Sequence, residues 1–147
     1  MTRLRKAIAI TVAAAAALIV APMNAHAAEY GCTGNLIDTY KVTSNVPNHL
    51  STIRLYYNSS TGYNCAANVK TAYYSQFKHE ASIAIWNQDF REDDNNRPGY
   101  NNDFDSGKFQ YYAGPVKVYG KGKCISMRAI TYYYDERAIR DVWGVHC

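Results

Sequence analysis

Several chemistry-bearing patterns are missing from this chain. It has no Cys-x-x-Cys pair, no His-Glu-x-x-His, no Gly-x-Ser-x-Gly elbow and no phosphate loop. Those absences remove the sequence signatures of a cysteine metal site, a zinc hydrolase, a serine hydrolase and a nucleotide binder. Beyond the first 27 residues no apolar run approaches the ~20 residues that span a bilayer. A strong charge of one sign is missing too. The formal net charge is +4, but three of the 16 Lys and Arg lie in the first 27 residues, leaving 13 against 12 Asp and Glu. A chain so close to neutral lacks the cationic surface of a non-specific nucleic-acid binder, so no nucleic-acid partner is expected.

What is present starts with an export signal. Arg3, Arg5 and Lys6 form a basic head, residues 7–20 are almost unbroken apolar, and Ala25-His26-Ala27 is a small-x-small cleavage site. That pattern predicts a secretory signal peptide over 1–27. Its apolar run is too short for a retained anchor. The absence of an Arg-Arg pair favours the general secretory route. Residues 28–147 then form the exported part, long enough for one modest core and too short for two. The expectation is one secreted, monomeric domain, free of the membrane once the signal is cut.

All four cysteines, Cys32, Cys65, Cys124 and Cys147, fall in that domain. An even count in a small exported chain reads as two disulfides. Three connectivities are open on spacing alone. Cys32–Cys65 with Cys124–Cys147 is preferred, because each bridge then joins neighbouring segments, and each is worth about 3–4 kcal/mol in the chain-entropy picture. The last would also tie down a terminus that otherwise frays.

Runs rich in Val, Ile, Thr and Tyr predict eight short strands over 36–43, 52–58, 63–74, 80–87, 108–112, 116–119, 123–135 and 139–145. Asn58-Ser59-Ser60-Thr61-Gly62 and Gly120-Lys121-Gly122 read as hairpin turns, and Asp135-Glu136-Arg137 as the close of the last hairpin. Gly114-Pro115 marks a bend or an edge, since Pro115 has no amide to give a ladder. The expected fold is all-β, a small antiparallel sandwich or barrel stapled by two disulfides.

Residues 87–107 interrupt the pattern with six acidic residues, five asparagines and Pro98-Gly99. They read as a long loop, functional or mobile. Residues 101–107 space oxygens as calcium loops do, but offer about four of the six to eight that calcium needs. A solvated acidic loop is the preferred reading, with no metal and no cofactor assigned. The sequon Asn58-Ser59-Ser60 carries no weight without knowledge of the host.

Tyrosine is the dominant compositional feature: all 14 lie after residue 27. Tyr56-Tyr57, Tyr73-Tyr74, Tyr111-Tyr112 and Tyr132-Tyr133-Tyr134 each sit in a predicted strand, so each doublet points a ring to both faces. The outward set, expected to be Tyr57, Tyr74, Tyr112 and Tyr133, would form an aromatic strip suited to sugar rings or a protein partner. Cross-strand Tyr pairing that stabilises the sheet without any ligand is the competing explanation. Catalytic candidates are thin. His79 and Glu80 are adjacent and so face opposite sides of a strand. Glu80, Arg128 and His146 have the residue types of a secreted ribonuclease, and Asp38, Glu80 and Asp141 are the carboxylates a glycosidase would use. No spacing singles either set out, and no catalytic residue is assigned.

The run Tyr111-Tyr112-Ala113-Gly114-Pro115-Val116-Lys117-Val118-Tyr119, with Cys124 shortly after, resembles a stretch of the spore-associated protein A family of small exported proteins from filamentous, spore-forming bacteria. Ser60-Thr61-Gly62-Tyr63-Asn64-Cys65 is similar to the segment of the same family around its second cysteine. The order of the four cysteines is also similar. The resemblance implies a secreted protein found with spores or aerial growth, with no established catalytic role. The expectation is a non-catalytic protein at the cell or spore surface, its partner a wall glycan or other surface polymer held by exposed tyrosines. An inhibitor of a secreted hydrolase, presenting residues 88–106, is the alternative, and a small secreted nuclease or hydrolase ranks below it.

Overall fold

A computed structural model describes residues 28–46, 48–91 and 100–147. The expected signal peptide and the Pro98-Gly99 turn lie outside the described residues. Eight antiparallel strands make one nearly closed barrel. They are β1 (Asn35–Ser44), β2 (His49–Asn58), β3 (Tyr63–Lys70), β4 (His79–Asn87), β5 (Asn102–Phe109), β6 (Tyr112–Tyr119), β7 (Ile125–Tyr133) and β8 (Glu136–Val145), with one short 3-10 turn at Tyr74–Gln76. The order around the sheet is β5-β4-β7-β8-β1-β2-β3-β6. The disulfides are Cys32–Cys65 and Cys124–Cys147, the preferred pairing, closing loops 33 and 23 residues long.

Period-two alternation selects the core. Ala81, Ile83 and Ile85 of β4, Ile125, Met127 and Ala129 of β7, Val116 and Val118 of β6, and Ile53 and Leu55 of β2 are buried together. Polar side chains bridge the barrel's interior. Ser51 and Thr131 share a hydrogen bond at 2.6 Å, and the Asn68 amide donates to Thr131 Oγ1 and the Ser82 and Ile130 carbonyls. At one end the buried Lys70 ammonium donates to the carbonyls of Phe77, His79 and Phe109. Burial pushes its pKa down, and three carbonyl oxygens match its three protons.

Several expectations need correction. The third strand stops at Lys70, and Tyr73-Tyr74 lie in the turn that follows. Residues 102–107 are not loop but the start of β5, which pairs along its length with β4. Asp103 and Asp105 are therefore strand residues rather than calcium-loop ligands. Gly114-Pro115 lie inside β6, where both oppose Ala67, so the bend is a bulge within one strand. The two residues of the last hairpin turn are Tyr134-Asp135, since Glu136 already belongs to β8. Gly120-Lys121-Gly122 is a turn but not a hairpin, because β6 and β7 are not neighbours.

Closure uses side chains. β5 and β6 are joined by two residues yet share no backbone ladder. Instead the Gly114 amide donates to Asp105 Oδ2 at 2.6 Å and the Lys117 amide to Asp103 Oδ2 at 2.8 Å. Near the far end a backbone bond, Tyr119 N–H to the Tyr100 carbonyl, crosses this seam. β1 and β8 pair only at Thr43–Ile139 and Ser44–Ala138. Further along, Arg140 lies over the Tyr40 ring and His146 faces Asp38 at 3.3 Å.

Candidate functional site

The inward set of β4 forces Ser82, Ala84 and Trp86 outward. Register then decides their neighbours: Ala84 lies between Phe104 of β5 and Arg128 of β7, and Trp86 between Asn102 and Ser126. A bulge in β8 completes the arrangement. Ile125 opposes Val145 and Met127 opposes Val142, so Trp143-Gly144 together face Ser126. Gly144 adopts φ 58° and donates its amide to Ser126 Oγ at 3.1 Å. That kink aims Trp143 outward beside Trp86, ring centroids 5.4 Å apart and edge to face.

The result is a groove of about 540 Å³ lined by Trp86, Trp143, Phe90, Phe104 and Arg128. Trp143 and Phe104 are both 63% exposed, far more than packing alone requires of such side chains. Arg128 is gripped by Asp141 through two bonds, Nε to Oδ1 at 2.5 Å and Nη2 to Oδ2 at 3.1 Å. The two bonds fix the Arg128 guanidinium in one orientation where it lines the groove. Apolar faces with a few fixed donors and acceptors suit a ligand that carries both.

The four tyrosines expected to form one strip do not come together. Tyr74 and Tyr133 meet, centroids 5.0 Å apart, in a cluster with Tyr73, Phe77, His79 and Tyr134 at the end of the barrel. Tyr57 lines a different mouth, with Ile37, Asn64 and His146. Tyr112 packs against Tyr30, 5.2 Å away. Its neighbourhood is a strap: residues 29–32 lie over the outside of β2 and β3, fastened by the Cys32–Cys65 bridge. Under the strap the buried Tyr56 hydroxyl donates to Glu29 and accepts from Arg54, and burial pushes its pKa up to about 12. An outward tyrosine can thus be buried by chain that the strand pattern does not reveal.

The catalytic sets are dispersed. Arg128 belongs to Asp141, His146 to Asp38, and Glu80 sits opposite Lys108. Asp38 is also bonded by the Tyr40 hydroxyl at 2.6 Å, which holds its carboxyl below the usual range. Among the described residues no three His, Cys, Asp or Glu side chains gather as metal ligands, and no helix is long and apolar enough to cross a membrane.

Trp86, Trp143, Phe90 and Phe104 were missed in the sequence. A signal existed for Trp86, because Ala81-x-Ile83-x-Ile85 fixes the outward parity of the residue that follows. None existed for Trp143, whose direction depends on the bulge. No protein family matches the chain, and neither does any curated protein or solved structure.

Proposed function

We propose that residues 28–147 are exported and act without catalysis at the cell or spore surface, holding a wall polysaccharide. The carrying observation is the pair of outward tryptophans, Trp86 and Trp143, set edge to face in a groove whose other wall is the exposed Phe104. Sugar rings present apolar C–H faces and polar rims. The aromatic faces take the first, and Asn102 with the Arg128–Asp141 pair lies where hydroxyls would be. Two disulfides support the export reading, since bridges of this kind persist outside the reducing cytosol. The tyrosine strip first expected to bind is replaced in this proposal by the tryptophan groove.

The test is co-sedimentation of the exported chain with insoluble chitin, cellulose and the walls of the producing cell and its spores. Saturable binding that falls at least tenfold in Trp86→Ala/Trp143→Ala, with unchanged thermal unfolding, is the expected result. Binding unaltered in that variant removes the groove from the proposal, and no binding to any polymer rejects the function.

A further inference from the structure

The tryptophan groove does not end where its tryptophans end. Three depressions follow one another along the outside of β4. The first holds Trp86, Trp143, Phe104 and Arg128; the second runs over Ser82 between Phe104, Ser106, Ile130 and Tyr132; the third lies among Glu80, Lys108, Tyr132, His79 and Tyr134. Each shares residues with the next, Phe104 first and then Glu80 and Tyr132. The floor is low because the outward residues in the middle of β4 are small, Ser82 and Ala84, while three of their four register partners, Phe104, Arg128 and Ile130, are large. From Trp86 to Glu80 the strand rises ~20 Å at its ordinary pitch.

We infer that this face is one continuous track for an extended, uncharged, linear polysaccharide, and not a pocket for a single sugar or a chain end. The inference rests on the polymer-binding reading and names its ligand class. Along it each position sets an apolar side chain beside a polar one: Trp86 with Asn102, Phe104 with Arg128, Ile130 with Ser106, and Tyr132 with Lys108 near Glu80. Tyr132 is backed by the Arg137 guanidinium, 5.9 Å from its ring centroid. Along the middle of the track the charges are paired, Arg128 bonded to Asp141 and Glu80 opposite Lys108, while Arg91 and Lys78 line its two ends, so a polyanion is the competing ligand that the titration includes. An extended peptide is a poor fit for a different reason. β4 is paired on both sides, so its backbone groups are spent in the ladders, and this face offers side chains only, whereas strand addition needs an open edge.

The experiment is calorimetric titration of the exported chain with neutral β-linked oligosaccharides, the cello- and chito-series from dimer to hexamer, beside a polyanionic wall polymer. Affinity is expected to rise with each added unit, about two- to twelvefold where a unit gains an aromatic platform, and then to level off once the track is full. Ser82→Tyr plugs the middle from the solvent side and should pull the hexamer down to the affinity of a short oligomer. Tyr132→Ala should also shorten the dependence. Affinity independent of length, with Ser82→Tyr silent, overturns the track and leaves the polymer-binding function standing. Tighter binding of the polyanion overturns the uncharged class. Absence of binding both here and to insoluble walls rejects the function itself. Unchanged near-ultraviolet dichroism of each variant shows that it is folded.

Discussion

Replacing Asp103 and Asp105 by alanine should loosen the barrel along the seam between β5 and β6. These carboxylates do the work of a backbone ladder, each accepting one amide of β6, Asp103 at 2.8 Å and Asp105 at 2.6 Å. A hydrogen bond to a charged acceptor contributes about 1.5–3 kcal/mol net, and the amide left behind is unpaired in a half-buried place. Both carboxylates retain some solvent contact, which places each near the lower end, so the double variant should lose about 3 kcal/mol. A domain of this size is stable by about 5–15 kcal/mol in total. The loss corresponds to a drop of about 10 °C in Tm. Guanidinium unfolding with the disulfides intact gives the stability, and hydrogen exchange locates it. The Gly114 and Lys117 amides should exchange faster in the variant, while the Tyr119 amide, bonded to the Tyr100 carbonyl, keeps its protection. Asp→Asn replacements retain the acceptor and should cost about half as much. A double alanine variant within about 0.5 kcal/mol of the parent, or with Gly114 and Lys117 equally protected, would refute the idea that carboxylates close this barrel.

Three further outcomes are expected. Gly144→Ala meets no steric neighbour but forces alanine to φ 58°, so it should cost about 1 kcal/mol; the Trp86–Trp143 dichroism and wall binding should both weaken as Trp143 turns. Lys70→Met strips three half-buried carbonyls of their donor and should destabilise by about 2–4 kcal/mol in chemical unfolding. Tyr56 bears on alkaline stability. Its pKa is raised by burial from the ordinary 10 to about 12, so between those values the folded state keeps a proton that the unfolded state has lost. Its contribution is therefore complete below pH 10 and disappears as pH climbs to 12. Tyr56→Phe should flatten the fall of Tm over that interval, and an unchanged profile would exclude this phenol as the cause.

Local pattern carried the strand content. Val, Ile, Thr and Tyr in alternation, with turns such as Asn-Ser-Ser-Thr-Gly, marked most of the strands because side-chain period and turn chemistry act over a few residues, whereas 108–112 took the end of β5 and the start of β6 for one strand. The disulfide pairing was preferred among three open connectivities because each bridge then joins segments close in sequence, and the structure decided it. The boundaries failed where tertiary context overrode propensity. Asn102-Asp103-x-Asp105-Ser106-Gly107 has loop composition, yet it pairs with β4 and lends its carboxylates to β6. Tyr73-Tyr74 has strand composition, yet the chain has already turned there toward β4.

The candidate site divides in the same way. That Trp86 must face outward follows from the sequence alone, by parity with Ile83 and Ile85. That Trp143 stands beside it, that Phe104 and Arg128 flank Ala84, and that Tyr56 vanishes beneath residues 29–32 are consequences of register, one bulge and one strap. Sequence alone determined the all-β class and an even set of four cysteines for two bridges. The barrel's closure, the crossing from β6 to β7 and the neighbours along the outer face were decided by tertiary structure. These depend on pairings between residues tens of positions apart, which no local period encodes.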